Sequence, residues 1–288
     1  MAKLFVDNLT VMDFSFLDRE RGVVGESWIV DIELTGELDE QGMVFDFGHV
    51  KKQIKKFIDA QADHRLLVPI ASPGCRTRVA GDELAIEFPL ASGGIIRHSS
   101  PRDAVLLLTA DAVDAAQLAV DLQTQLLSLL PENVQDVVIR LRPEAIQGAY
   151  FHYTHGLQKH QGQCQRIAHG HRSRIVIEVD GTRSSTLESQ WAKTLADSYI
   201  ATDHHIVEIF DHNGIEHVQL AYTAAQGDFA ISLPRAQVFT MPGVSTVENI
   251  AIHLAEQVAG NEPGSVLVKA FEGVGKGAFG ASPGIEQT

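Results

Sequence analysis

The alternation of apolar and polar residues along the chain predicts one long strand in each half. Residues 28–34 alternate in the first half and end at Thr35-Gly36, and residues 175–179 alternate in the second half and end at Asp180-Gly181. Side chains at positions i and i+2 of a strand project from the same face of the sheet. Each segment is therefore predicted to be a strand with one face toward a core.

Apolar residues that recur every three to four positions predict two amphipathic helices in each half. The first-half stripes are Val50, Ile54, Phe57 and Ile58, then Leu118, Leu122, Leu126 and Leu129; the second-half stripes are Leu187, Trp191, Leu195 and Tyr199, then Val247, Ile250, Ala251, Leu254 and Val258. A short strand closes each half, at residues 137–141 and 266–270, and leads to a glutamate. This repeated order predicts two tandem domains, residues 1–146 and 147–288.

The strands come in hairpins rather than in alternation with helices, which favours an α+β fold of antiparallel sheets with helices on one face. Segments 69–102 and 205–240 contain further apolar runs, which we interpret as extra strands or long loops. Sheets this small leave edge strands unpaired, and such edges invite pairing with another copy. We therefore expect a homo-oligomer with a ring of strands.

Composition excludes several classes of protein. The 288 residues are 44% hydrophobic, as in a globular protein, and the net charge of −14 argues against a nucleic-acid binder. An anionic substrate would need a local basic patch. The sequence shows no signal segment and no apolar run near the roughly 20 residues that span a membrane. Two cysteines are too few for a disulfide framework, so we expect a cytoplasmic protein without a membrane partner.

A group of histidines in the second half predicts a zinc site. His169 and His171 begin the predicted strand with one residue between them, and His155 ends a short strand before it. Three neutral nitrogens with no fourth protein ligand describe a zinc ion that keeps one position open for water or substrate. The alternative is that these are ordinary surface residues in a chain with thirteen histidines. Cys164, five residues before His169, and the third histidine favour zinc.

Several motifs together resemble the 6-pyruvoyltetrahydropterin synthase and 6-carboxytetrahydropterin synthase family. They are Gly42-Met43-Val44-Phe45-Asp46-Phe47-Gly48-His49-Val50-Lys51 followed by Asp63-His64, Cys164 ahead of His169-Gly170-His171, Ser245-Thr246-Val247-Glu248-Asn249, and Glu272 followed by Ala278. The resemblance implies two tandem tunnelling-fold (T-fold) units that assemble into a strand barrel. The first unit reads Val24-Gly25-Glu26 at the zinc positions and cannot build that site, whereas the second lacks the Gly-Met-Val-x-Asp-Phe segment.

The resemblance also implies chemistry, because enzymes of this family eliminate triphosphate from dihydroneopterin triphosphate and rearrange its side chain. Cys164 would be the thiolate that removes a proton, Glu272 would anchor the pterin together with Thr246 and Glu248, and an Asp-His dyad would shuttle a proton. The chain has two such dyads at positions interpreted as matching, Asp63-His64 and Asp203-His204. In the family the dyad comes from a neighbouring subunit. We expect Asp203-His204 to serve, since it lies in the half that keeps the metal, although Asp63-His64 has the more typical context.

Three functions are compatible with these residues. The first is a lyase that makes 6-carboxytetrahydropterin, a step toward 7-deazaguanine bases such as queuosine. The second is a 6-pyruvoyltetrahydropterin synthase, and the third is a pterin-binding or scaffold protein without turnover. The intact zinc ligands and Cys164 favour an enzyme, but the sequence does not separate the two products. Arg166, Arg172 and Arg174 either bind the triphosphate or lie on a solvated strand edge, and both interpretations stay open.

Overall fold

The computed structural model describes residues 1–44 and 46–283. The strands of the first half are β1 (Ala2–Asp18), β2 (Gly22–Gly36), β3 (Leu66–Pro69), β4 (Arg76–Ala80), β5 (Glu83–Pro89), β6 (Ile95–Pro101), β7 (Val105–Leu108) and β8 (Val134–Pro143). Those of the second half are β9 (Tyr150–His155), β10 (His169–Val179), β11 (Thr182–Arg183), β12 (Ser198–Thr202), β13 (Ile206–His212), β14 (Ile215–Ala224), β15 (Gly227–Pro234), β16 (Val238–Met241), β17 (Val266–Phe271) and β18 (Gly277–Ser282). The helices are α1 (Phe47–Gln61), α2 (Ala115–Leu127), α3 (Ser185–Thr194) and α4 (Val247–Ala259).

Each half builds one sheet around a long hairpin. The first sheet has the order β7-β3-β1-β2-β8, and the second has the order β16-β12-β9-β10-β17-β18 with β11 paired to β10. Two helices cover each sheet, and their apolar stripes fill two separate cores. Polar side chains cap the helix starts: Asp114 accepts a hydrogen bond from the backbone of Gln117, and Thr246 accepts one from Asn249.

The apolar segments between the helices form a third sheet that belongs to both halves. Its order is β13-β14-β15-β6-β5-β4, and β15 pairs with β6 in antiparallel register, with Ile231 opposite His98. Its buried face packs on residues of both halves, including Leu66 and Tyr199. The two halves are therefore joined by a continuous sheet and a common core.

The predicted α+β class is confirmed, and two details of the sequence-based expectation are wrong. The sheets are mixed, because β3 runs parallel to β1 and β7, and β12 runs parallel to β9 and β16. A strand that returns after a helix enters the sheet by a crossover, which produces parallel pairing. The predicted third helix ends at Thr194, and Tyr199 lies in β12. No helix in the described part of the chain is long and apolar enough to cross a membrane.

The two hairpins pack on each other where both lack side chains. A Cβ atom on Gly170 would lie 2.6 Å from the Cα of Gly25, so neither position has room for a larger residue. Beside this contact the hydroxyl oxygens of Ser15 and Thr154 lie 2.8 Å apart. This close approach brings side chains of β1 and β2 next to the first residues of β10.

Candidate metal centre and active site

The three histidines predicted as metal ligands converge in the interior of the second half. His155 lies directly opposite His169 in the antiparallel β9–β10 pair, and His171 lies two residues further along the same face. All three side chains are buried, and one ring nitrogen from each lies within 4.8 Å of the others. The register of one hairpin therefore assembles all three imidazoles.

Backbone and carboxylate acceptors fix how each ring is oriented. Nδ1 of His155 donates to the carbonyl of Ser245 at 2.8 Å, and Nδ1 of His169 donates to the carbonyl of Arg166 at 3.0 Å. Nδ1 of His171 lies 3.2 Å from a carboxylate oxygen of Asp13, out of line for a full hydrogen bond. A hydrogen bond to one ring nitrogen leaves the lone pair of the other free for a metal.

The remaining nitrogens fit a metal ion. Nε2 of His155, His169 and His171 is buried in each case and has no hydrogen-bond partner among the described residues. Buried polar atoms normally have partners, so three unpartnered acceptors in one place call for a ligand. Burial lowers the pKa of His155 to about 3 and the pKa of His169 well below its usual value, which keeps both rings neutral. Three imidazole nitrogens that converge on one point suit zinc or a similar divalent ion.

Cys164 and the dyad Asp63-His64 border this triad. Cys164 lies in a short 3₁₀ turn (Gln163–Gln165) between β9 and β10, and its sulfur, a nitrogen of His64 and a nitrogen of His169 lie within 4.8 Å of one another. Nδ1 of His64 lies 2.8 Å from a carboxylate oxygen of Asp63. Burial opposes charge on His64, but hydrogen bonds to Asp63 and Cys164 raise its pKa to about 10. A protonated imidazole thus lies beside the cysteine.

The first half holds this dyad in place through its backbone. His64 has a left-handed conformation with φ of 55°, and its backbone N–H donates to the carbonyl of Asp13 at 2.6 Å. The backbone N–H of Asp13 in turn donates to the carboxylate of Asp63 at 2.8 Å. One chain therefore brings a first-half dyad to a second-half histidine triad.

Within one chain, Asp63-His64 lies beside the triad and Asp203-His204 does not. Asp203 and His204 contact each other at 3.2 Å, but both side chains are more than half exposed in a 3₁₀ turn after β12. Asp63-His64 precedes β3, so the two dyads are not equivalent in the repeat. Strand register shows the correct match: Leu66 pairs with Ser15 as Tyr199 pairs with Thr154, which makes Asp197 the counterpart of His64. Asp197 also has a positive φ, 54°.

Glu272 directly follows β17 and lies beside the triad. One carboxylate oxygen lies 3.9 Å from Nε2 of His171, and the other lies 3.6 Å from the ammonium of Lys276. Burial raises the pKa of Glu272, but the nearby His171, His155 and Lys276 outweigh burial and lower it. An ionised carboxylate at this position can accept two hydrogen bonds from a guanidine-like edge of a ligand.

Thr246 and Glu248 lie beside the triad rather than in it. Thr246 is the N-cap residue of α4, and Glu248 is exposed on the first turn of that helix. The cap holds the neighbouring Ser245, whose carbonyl accepts the hydrogen bond from His155. The structure thus gives Thr246 a positioning contact and gives Glu248 no contact with the triad among the described residues.

Two residues of the site escaped the sequence analysis, Asp13 and Lys276. Asp13 is buried, accepts a hydrogen bond from the hydroxyl of Ser27 at 2.5 Å, and lies 3.3 Å from the Lys276 ammonium. Burial opposes its ionisation, but His171 and Lys276 lower the pKa of Asp13 well below its usual value. The only signal in the sequence was a carboxylate between two apolar residues, Met12 and Phe14.

The fold and site define an α+β protein with a three-histidine centre beside a cysteine and an Asp-His dyad. The model of the 6-pyruvoyl tetrahydropterin synthase family matches residues 13–138 and again residues 146–277. Because these two segments cover most of its length, the chain belongs to this family.

Similar proteins match about half of the chain. A putative 6-carboxy-5,6,7,8-tetrahydropterin synthase of Pyrococcus horikoshii is 26% identical over 135 residues, which is 47% of this chain and 77% of that protein. Its Pyrococcus abyssi counterpart is 23% identical over 139 residues, again 47% and 77%. The solved 6-pyruvoyl tetrahydropterin synthases of Plasmodium vivax (17% identity, TM-score 0.37) and Plasmodium falciparum (18%, 0.38) each align over 49% of this chain and 97% of theirs.

Proposed function

We propose that the chain is a zinc-dependent lyase that acts on dihydroneopterin triphosphate in the manner of a 6-carboxytetrahydropterin synthase. The observation that carries the proposal is the convergence of three unpartnered Nε2 atoms beside Cys164 and His64. The names of the Pyrococcus relatives favour the 6-carboxy product over the 6-pyruvoyl product. The 7-deazaguanine pathway, a homo-oligomer and a cytoplasmic location remain predictions from the sequence.

His155, His169 and His171 would hold the zinc ion, which when bound supplies a Lewis acid for the hydroxyl groups of the substrate side chain. Asp13 would keep His171 in the tautomer that presents Nε2. Glu272 would bind the amino-pyrimidine edge of the pterin through two charge-assisted hydrogen bonds. The pterin is thereby oriented with its side chain toward the triad.

Proton transfer would fall to Cys164 and His64. The sulfur of Cys164 would remove a proton from the substrate side chain, and His64 would deliver or take up a proton at a neighbouring atom. Asp63 holds the His64 ring through the 2.8 Å contact and stabilises its charged form. Both groups lie in one chain, so we propose that each chain contains a complete proton-transfer pair.

The test is to incubate the zinc-loaded protein with dihydroneopterin triphosphate and to identify the products by mass spectrometry. We expect inorganic triphosphate, 6-carboxytetrahydropterin and the released two-carbon fragment, and turnover lowered roughly 100- to 10,000-fold in the C164A variant. A 6-pyruvoyl product would keep the reaction class and change the assignment. Pterin binding without any turnover would instead support the third function considered above, a pterin-binding protein.

A further inference from the structure

Two arginines beside the dyad carry positive charge that no carboxylate neutralises directly. Arg166 follows Cys164 by two residues and is only 5% exposed, and Arg65 directly follows His64. The charges of Asp103 and Asp63 act on these arginines through space, but within residues 1–44 and 46–283 no carboxylate lies within ion-pair distance of either guanidinium. Buried charges in proteins are normally paired, so this arrangement calls for an anion.

The contacts of the two side chains leave donors free. Arg166 donates from Nε to the amide oxygen of Gln226 at 3.2 Å and from Nη1 to the carbonyl of His64 at 3.4 Å, and both acceptors are neutral. Nε of Arg65 is buried without a hydrogen-bond partner in the described structure. Burial and the neighbouring charge of Arg65 lower the pKa of Arg166 to about 10, which leaves it protonated at neutral pH. Five N–H groups per guanidinium exceed the acceptors present.

The other two arginines of the basic cluster are already engaged. Arg172 donates to the carbonyl of Glu144 at 2.6 Å and lies over the ring of Tyr150. Arg174 lies 3.3 Å from the carboxylate of Glu144 and over the ring of Phe271. The charge of Arg174 is therefore paired with a carboxylate, and the Arg172 guanidinium is held by the Glu144 carbonyl and the Tyr150 ring.

We propose that Arg65 and Arg166 form an anion-binding subsite that takes the phosphate chain of the substrate. The inference deepens the proposed function and rests on it. Arg166 lies in the same loop as Cys164, its carbonyl accepts the hydrogen bond from His169, and its guanidinium contacts the backbone of His64. Planar guanidinium groups bind phosphate oxygens in pairs. The subsite would neutralise the phosphate leaving group as it departs with the bonding electrons of its C–O bond.

The test is a pair of calorimetric titrations of the zinc-loaded protein, one with inorganic tripolyphosphate and one with neopterin, which carries no phosphate. We expect the R65Q and R166Q variants to bind tripolyphosphate roughly tenfold more weakly or worse, because each loses charge-assisted hydrogen bonds. Their affinity for neopterin should not change. R174Q is the matched control, since it removes a nearby arginine whose charge is already paired, and it should leave both affinities unchanged.

Unchanged tripolyphosphate affinity in R65Q would overturn the subsite. R166Q removes a buried side chain, so its thermal unfolding is measured alongside, and R65Q decides the matter if R166Q is unfolded. Neopterin binding without tripolyphosphate binding by the unmodified protein would refute the subsite and leave the proposed function standing. Binding of neither ligand would count against the proposed function itself.

Discussion

The histidine triad of the second half and the corresponding positions of the first half have the same strand pairing but different side chains. The register of β1–β2 pairs Phe16 with Val24 as the register of β9–β10 pairs His155 with His169. Phe16 packs against an apolar core and Val24 is fully buried, so the first half has hydrophobic side chains in place of two of the triad histidines. The same hairpin geometry therefore supports either a metal centre or a core.

The polar residues around the two positions are also related by the repeat. Asp13 of the first half faces His171 of the second, and His152 of the second half faces Glu26 of the first at 3.8 Å. The second-half residue that corresponds to His64 is Asp197, which forms a two-pronged ion pair with Arg21. The Arg21–Asp197 ion pair therefore stands where the corresponding residue, His64, borders the triad. The first half thus lacks a histidine triad of its own and contributes Asp13, Asp63 and His64 to the site in the second half.

The largest effect should come from removing one metal ligand. H169A should lose its zinc and all turnover, because two imidazoles and water hold the ion far less tightly than three imidazoles. V24A, the change at the corresponding first-half position, should keep one zinc ion per chain. Elemental analysis of the purified variants measures this directly. Two ions per unmodified chain, or full zinc in H169A, would contradict the comparison.

The next effect concerns Cys164 and its first-half partner His64. C164A and H64A should each lower turnover by roughly 100- to 10,000-fold while zinc and pterin remain bound, as expected for lost proton transfer. C75A and H204A are the controls, since Cys75 packs on the shared core and His204 is exposed. Steady-state rates with zinc content decide the outcome. A loss in H204A comparable to that in H64A would restore the second dyad as the active one.

A mixing experiment tests whether the site is complete within one chain. The structure brings His64 and Cys164 together in a single chain. Mixed oligomers of H64A and C164A should therefore stay inactive, since no chain carries both groups. Recovery of activity in proven mixed oligomers would show that the dyad acts across an interface, as the family resemblance suggests.

The convergence of the three histidines could be predicted from the sequence because it depends on one hairpin. The spacing of His169 and His171 fixes their common face, and His155 needs only the antiparallel register. The choice of dyad could not be predicted this way. Asp63-His64 and Asp203-His204 are the same dipeptide. Only the order of the elements shows that the first precedes β3 and the second follows β12.

The contribution of Asp13 depends on contacts between distant parts of the chain. Its approach to His171 requires the close packing of Gly25 on Gly170, which no local pattern reveals. The pairing of β6 with β15 is a contact of the same kind, because it joins segments about 130 residues apart. The apolar runs indicated extra strands or long loops in these segments but could not choose strand partners.

Asp13 should affect metal affinity less than a direct ligand does. D13N should weaken zinc binding roughly 10- to 100-fold, the usual cost of losing a carboxylate that orients a ligating histidine. E26Q is the matched control, because Glu26 is a similarly buried carboxylate on the other side of the repeat. Competition with a zinc chelator measures both affinities. Equal weakening in D13N and E26Q would indicate a general loss of packing instead.

The smallest effect is a pH dependence of stability that arises from Glu26 in the first half. Burial raises the pKa of Glu26 to about 7, above its usual 4.5, so the folded state holds a proton that the unfolded state releases. The resulting stabilisation is fully present below about pH 4.5 and is lost as the pH rises through 7. Between pH 5 and pH 8 the free energy of unfolding should fall by about 2 kcal/mol through this group alone.

Urea unfolding at both pH values, compared between the unmodified protein and E26Q, isolates the contribution of Glu26 to the free energy of unfolding. E83Q removes an exposed carboxylate and is the control. An identical pH dependence in E26Q and the unmodified protein would show that Glu26 is ionised in the folded state.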